Sequence, residues 1–98
     1  MITTAKEQIT NVDLGGAYIS LHYTRNGIDS FTLTAIVGKD GEDITDLLQP
    51  SNFIWIRTSR NHKYDTEWNN RHEGVGRTIT VSGEELNGRP TFDCILIN

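Results

Sequence analysis

Ninety-eight residues with a formal net charge of −4, 36% hydrophobic and 22% charged, describe one small globular domain with a single thin core. Length excludes a multi-domain enzyme, and no stretch approaches the ~20 apolar residues of a membrane-spanning helix, so membrane insertion is not expected. Nine Lys and Arg against 13 Asp and Glu are the wrong balance for a nucleic-acid binder.

Residues 1–14 read as a polar lead-in without the apolar segment of a secretory signal, and residues 15–98 as the folded domain. The dominant period from there on is two. Tyr18 to Thr24 alternates, with Ile19, Leu21 and Tyr23 on one face. Phe31 to Val37 alternates again, with Phe31, Leu33, Ala35 and Val37 inward and the threonines outward. Asn26-Gly27 between these runs and Lys39-Asp40-Gly41-Glu42 after them supply residues that tolerate positive φ and predict hairpins. Ile44 to Leu48 predicts a short strand or an irregular edge piece. Phe53-Ile54-Trp55-Ile56 is apolar on both faces, as a central strand is.

Residues 57–77 carry no strand pattern, a long connection for a β domain. One or two helical turns are expected in it, with Asp65 as N-cap, Glu67 and Arg71 paired at i,i+4, and Trp68 stacked one turn before His72. Thr78 to Val81 alternates once more. Ser82-Gly83-Glu84-Glu85 has capping-box spacing and predicts a single tight turn, and Phe92 to Ile97 is the closing strand. Short strands joined by turns, with no long amphipathic helix, predict an antiparallel sandwich or barrel around Phe31, Leu33, Ala35, Phe53, Trp55, Phe92, Cys94 and Leu96.

The order of landmarks, inward Ala35, then Trp55 on a central strand, then Cys94 on the last strand with Phe92 two residues before it, resembles the immunoglobulin fold. Ala35 stands where the first disulfide cysteine would be, and Cys94 is the sole cysteine, so the resemblance implies an immunoglobulin-like β-sandwich without the disulfide. In wording, the chain resembles immunoglobulin-like modules of tailed-bacteriophage tail, fibre and minor structural proteins. The similar stretches are Phe31 to Ala35, Asp40 to Asp46, Phe53 to Ser59, Trp68-Asn69 with His72-Glu73-Gly74, Ile79 to Val81, and Gly88 to Cys94. The resemblance implies a non-enzymatic structural protein, made in the bacterial cytoplasm and localised to the virion, with other virion proteins as partners. Such modules usually sit within a much longer chain, which makes a small stand-alone virion component the expectation here. Homo-oligomer formation is left open.

Cys94, with His22, His62 or His72 as a base, would make a nucleophile only if exposed; its inward register predicts a buried hydrophobe. His62 and His72 with Asp65, Glu67 and Glu73 lack zinc-ligand spacing, and Asp40, Glu42, Asp43 and Asp46 lack that of a calcium loop. Asp65 and Glu67 as a glycosidase pair would require a cleft that a chain of this size has little room for. No cofactor motif is present, and no enzyme is expected. Residues 57–77 carry five basic residues against three acids, a local +2 on a body of −6. Arg57, Arg60, Tyr64, Trp68, Asn69 and His72 are therefore the candidate binding set, for an acidic neighbour or, in the alternative function, a host-surface glycan. The simpler reading, and the preferred one, is that Trp68 plugs one end of the sandwich and the charges solvate the loop.

Overall fold

A computed structural model of the chain describes residues 13–98; all but the last two residues of the polar lead-in over 1–14 lie outside that range. The described chain is mostly β-strand in two antiparallel sheets, with one short helix. Strands β1 (Tyr18–Arg25) and β2 (Ser30–Lys39) form a hairpin; β3 (Glu42–Asp43) and β5 (Thr78–Ser82) both pair with β2. The second sheet holds β4 (Phe53–Thr58) and β6 (Thr91–Leu96). Helix α1 (His62–Asn70) follows β4, and 3₁₀ turns occupy Thr45–Leu47, Pro50–Asn52 and Gly83–Leu86.

The period-two pattern of β2 becomes one buried face. Leu33, Ala35 and Val37 point into a core shared with Ile79 and Val81 of β5 and with Phe53, Trp55, Phe92 and Cys94 of the facing sheet. Phe31 and Leu96 are half-buried at its margin. Trp55 is fully enclosed, and its indole N–H donates to the Gly76 carbonyl at 2.8 Å, so the ring brings no unpaired polar atom into the core. Tyr23 shares a face with Ile19 and Leu21 but is 58% exposed, contrary to the inward reading. β1 is an edge strand, and the facing sheet, only two strands wide, does not reach over its far half.

The two hairpins differ in their turns. Asp40 and Gly41 both adopt positive φ (54° and 80°), the conformation that the Asp-Gly pair predicted. At the first hairpin Asn26 N–H donates to Ser30 O at 2.8 Å, closing a longer loop in which Gly27 does not take positive φ. Residues 44–48 form no strand. The Thr45 hydroxyl accepts from Val37 N–H at 2.8 Å and donates to Asp43 Oδ1 at 2.6 Å, so a buried side chain continues the ladder where β3 stops. These hydrogen bonds from Thr45 hold the Asp43 carboxyl below the ordinary carboxylate range.

The N-cap of helix α1 lies four residues before the expected one. Asn61 is the N-cap, its Oδ1 accepting from Tyr64 N–H at 3.1 Å, and Asp65 lies inside the helix, buried. No Glu67–Arg71 ion pair forms among the described residues. The Trp68–His72 stack does form, with ring centroids 3.7 Å apart and planes 12° from parallel. The Ser82–Glu85 turn is present as a 3₁₀ turn, with Ser82 N–H donating to Glu85 Oε1 at 3.0 Å.

Candidate functional site

Among the described residues, two surfaces set unpaired chemistry beside open space; a third hollow, of about 230 Å³, is bordered by Asp46 and Arg77, which pair with each other. The first is a hollow of about 910 Å³ between the start of α1 and the loop before β6, lined by Arg57, Ser59, Arg60, Asn61 and Tyr64 on one side and Glu84, Asn87, Gly88 and Arg89 on the other.

Arg57 builds that hollow. It follows Phe53 and Trp55 on the inward face of β4, so the strand carries a cation into a buried position. The cation is answered completely. One guanidinium nitrogen pairs with Asp65 and also donates to the Ser59 hydroxyl at 2.9 Å. The other donors reach across to the Glu85 carbonyl (3.1 Å) and the Asn87 carbonyl (2.8 Å). One side chain thus fastens both walls of the hollow to β4. Its guanidinium also sits 4.5 Å from the Tyr64 ring centroid, a cation–π contact. Burial pushes the Asp65 carboxyl up; hydrogen bonds from the Ser59 hydroxyl, the Arg57 guanidinium and the Ser59 N–H, with the Arg57 charge, outweigh it and hold the group below the ordinary carboxylate range.

The residues singled out for binding separate into two groups. Arg57, Arg60 and Tyr64 line the hollow. Trp68, Asn69 and His72 face inward or are committed elsewhere. Trp68 is fully buried, with His72 on one side, Phe92 at 5.4 Å, and its indole N–H donating to Glu85 Oε2 at 2.7 Å. It belongs to the core cluster and has no ring face open to a sugar. The Asn69 amide accepts from Arg57 N–H at 2.7 Å and donates to Arg57 O at 3.4 Å, standing in for a neighbouring strand. His72 Nδ1 lies 2.6 Å from the Trp68 carbonyl oxygen. The second wall, Glu84 to Arg89, lies outside the expected binding set, although a turn was expected at its start; its one signal is an arginine between Gly88 and Pro90, which the fold holds at φ +53°.

The second surface is the outer edge of β6. Trp55 N–H donates to His72 O (3.0 Å) and Gly74 N–H to Phe53 O (2.8 Å), so the odd-numbered residues of β4 turn their backbone groups away from β6. Ile54, Ile56 and Thr58 therefore bond to Ile95, Asp93 and Thr91. The alternation directs the N–H and C=O groups of Phe92, Cys94 and Leu96 outward, where β6 has no strand partner among the described residues. The outer edge of β4 is covered by residues 69–74; nothing among the described residues pairs with that of β6. Beside it runs a groove of about 370 Å³ lined by Leu14, Ala17, Ile19, Cys94, Ile95 and Leu96.

The remaining chemistry does not gather. Asp46 pairs with Arg77 at 2.6 Å while Asp43 turns to Thr45, so the acidic stretch after β2 does not converge. No cluster of three metal-ligating side chains occurs among the described residues. Cys94 is a free, buried thiol, pushed up to about 11 by burial. Relative to an ordinary thiol, this shift lowers its thiolate population roughly hundredfold at neutral pH. Alkylation of the folded chain by iodoacetamide at pH 8 is expected to be at least that much slower than in denaturant; equal rates would show the thiol to be accessible and unshifted.

Comparison with family models, with curated proteins and with solved structures returns no match.

Proposed function

We propose that this chain is a non-enzymatic structural protein of a tailed-phage particle, an immunoglobulin-like module that joins the tail, fibre or capsid surface through the open edge of β6. In that reading β1, β2 and β5 correspond to immunoglobulin strands A, B and E, and β4 and β6 to C and F, with Trp55 on strand C and Phe92 at the corner entering F. The observation that carries the proposal is the pair of edges on the smaller sheet. One is covered by the chain's own residues 69–74, and the other, among the described residues, leaves the main-chain donors and acceptors of Phe92, Cys94 and Leu96 unpaired beside an apolar groove. A strand from a neighbouring virion protein, added there, gains ladder hydrogen bonds and buries its alternate side chains in the groove.

Ile95 tests this. Its side chain is 46% exposed on the outer face of β6, and its backbone pairs with Ile54. Ile95→Lys is expected to leave the fold intact, with a change in stability of about 1 kcal/mol or less, and to block strand addition. Phage carrying a tagged wild-type copy should show the tag in purified particles by electron microscopy, and the Ile95→Lys copy should be lost from them. Wild-type tag found only in infected-cell cytoplasm, or equal incorporation of the folded variant, overturns the proposal. The hollow beside Arg57 favours a second reading, adhesion to a host-surface glycan, in place of the Trp68 platform.

A further inference from the structure

We propose that the hollow between the start of α1 and the loop before β6 binds a carboxylate-bearing saccharide, of the uronic-acid class, with Arg60 and Arg89 as its anion-recognising residues. The inference rests on the adhesion reading alone and is independent of the β6 edge. Its first support is the charge left over. Arg57 is neutralised by Asp65, whereas Arg60 and Arg89, on opposite walls, have no acidic partner among the described residues. Lys39 and Arg77 each have one, and Arg25, Lys63 and Arg71 have none among the described residues; what sets Arg60 and Arg89 apart is that they border the same hollow. With Glu84 the one acid in the lining, the hollow keeps a net positive charge on an acidic protein.

The second support is the kind of groups that meet there. Guanidinium forks bind carboxylates through two parallel hydrogen bonds, geometry that an ammonium does not offer. The amides of Asn61 and Asn87 and the Tyr64 phenol are short-range donors and acceptors suited to ring hydroxyls, and Glu84 accepts from them. At about 910 Å³ the half-open hollow has room for one or two sugar rings.

The third support is backbone conformation. Arg89 sits at φ +53°, after Gly88 at φ +81°, a conformation that costs free energy for a residue with a Cβ and would suit glycine. The Arg57–Asn87 hydrogen bond anchors the preceding turn, so an arginine is held in the hollow at a position where it destabilises the chain.

The experiment is an NMR titration of the full chain with tri-galacturonate, with its methyl-esterified form as the neutral control. Saturable shifts confined to residues 57–64 and 84–89 are expected for the acid, with affinity at least about tenfold weaker for the ester and falling with salt. Arg60→Gln and Arg89→Gly should each weaken binding about tenfold or more. Arg89→Gly relieves the left-handed strain, so it remains folded and isolates the guanidinium. Both variants should still enter virions, which separates failure here from failure of the assembly edge. Absent binding, equal affinity for the ester, undiminished binding by folded Arg89→Gly, or tighter binding of inorganic phosphate or a tri-glutamate peptide overturns the proposal.

Discussion

Asp65→Asn is expected to destabilise the domain by roughly 3–5 kcal/mol, although it removes no more than one charge from the helix. The reason is what stays behind. Arg57 is 3% exposed and has no second acid to turn to; its other acceptors, Ser59 and the carbonyls of Glu85 and Asn87, are neutral. The cost is that of a buried cation left uncompensated, which exceeds the net worth of the pair. Against a typical total of 5–15 kcal/mol, such a loss brings a small domain close to its unfolding threshold. Urea denaturation followed by far-UV circular dichroism measures it. Replacing both partners, Arg57→Met with Asp65→Leu, should cost less than the sum of the single changes, because no charge is then stranded. A single-variant loss below about 1 kcal/mol would show that solvent screens the pair.

The same carboxylate gives an acid dependence whose direction is fixed. Its folded pKa lies below the ordinary value of about 3.9, so the stability it supplies is fully present above that pH and is lost as pH falls through the folded pKa. Wild-type stability should therefore decline steeply below about pH 4, and the Asp65→Asn variant should lack that part of the decline.

This pair also shows what local spacing conveys. That one or two helical turns lie within residues 57–77 was legible, as was the Trp68–His72 stack, because both depend on neighbours within one turn; the start of the helix at His62 was not. The role of Asp65 was not. An acid near a helix start reads as a cap, but its partner is eight residues upstream on a strand, and Asn61 takes the cap. A signal was present: Phe53, Trp55 and Arg57 share one face, so the alternation itself sets a cation inward and requires a buried acid to meet it. The strands of the larger sheet were readable because β2 buries one face along most of its length, and period two reports faces directly. Tyr23 failed because periodicity identifies a face without saying whether anything covers it. The hollow failed for a related reason: its second wall lies some thirty residues along the chain, joined to the first through the Arg57 bonds to the carbonyls of Glu85 and Asn87.

Trp68→Ala is expected to cost about 3–5 kcal/mol, as large aromatic truncations in cores do. Two interpretations of this residue predict opposite results. As a sugar platform, its loss would leave the fold intact and abolish glycan binding. As a core residue, its loss opens a cavity against Phe92, strips His72 of its stacking partner and leaves Glu85 Oε2 without the indole donor. The geometry favours the second, since the ring has zero exposure. Trp68→Phe separates shape from hydrogen bonding: it keeps most of the apolar volume, loses the bond to Glu85, and should cost about half as much. Denaturation midpoints of the two variants provide the stability reading, and the tri-galacturonate titration of the folded Trp68→Phe variant provides the other. Binding within about twofold of wild type, together with the stability losses, is expected, because Trp68 does not line the hollow. A variant that folds normally and loses the sugar would move the binding face to the helix side occupied by His72, and would end the assignment of this indole to the core.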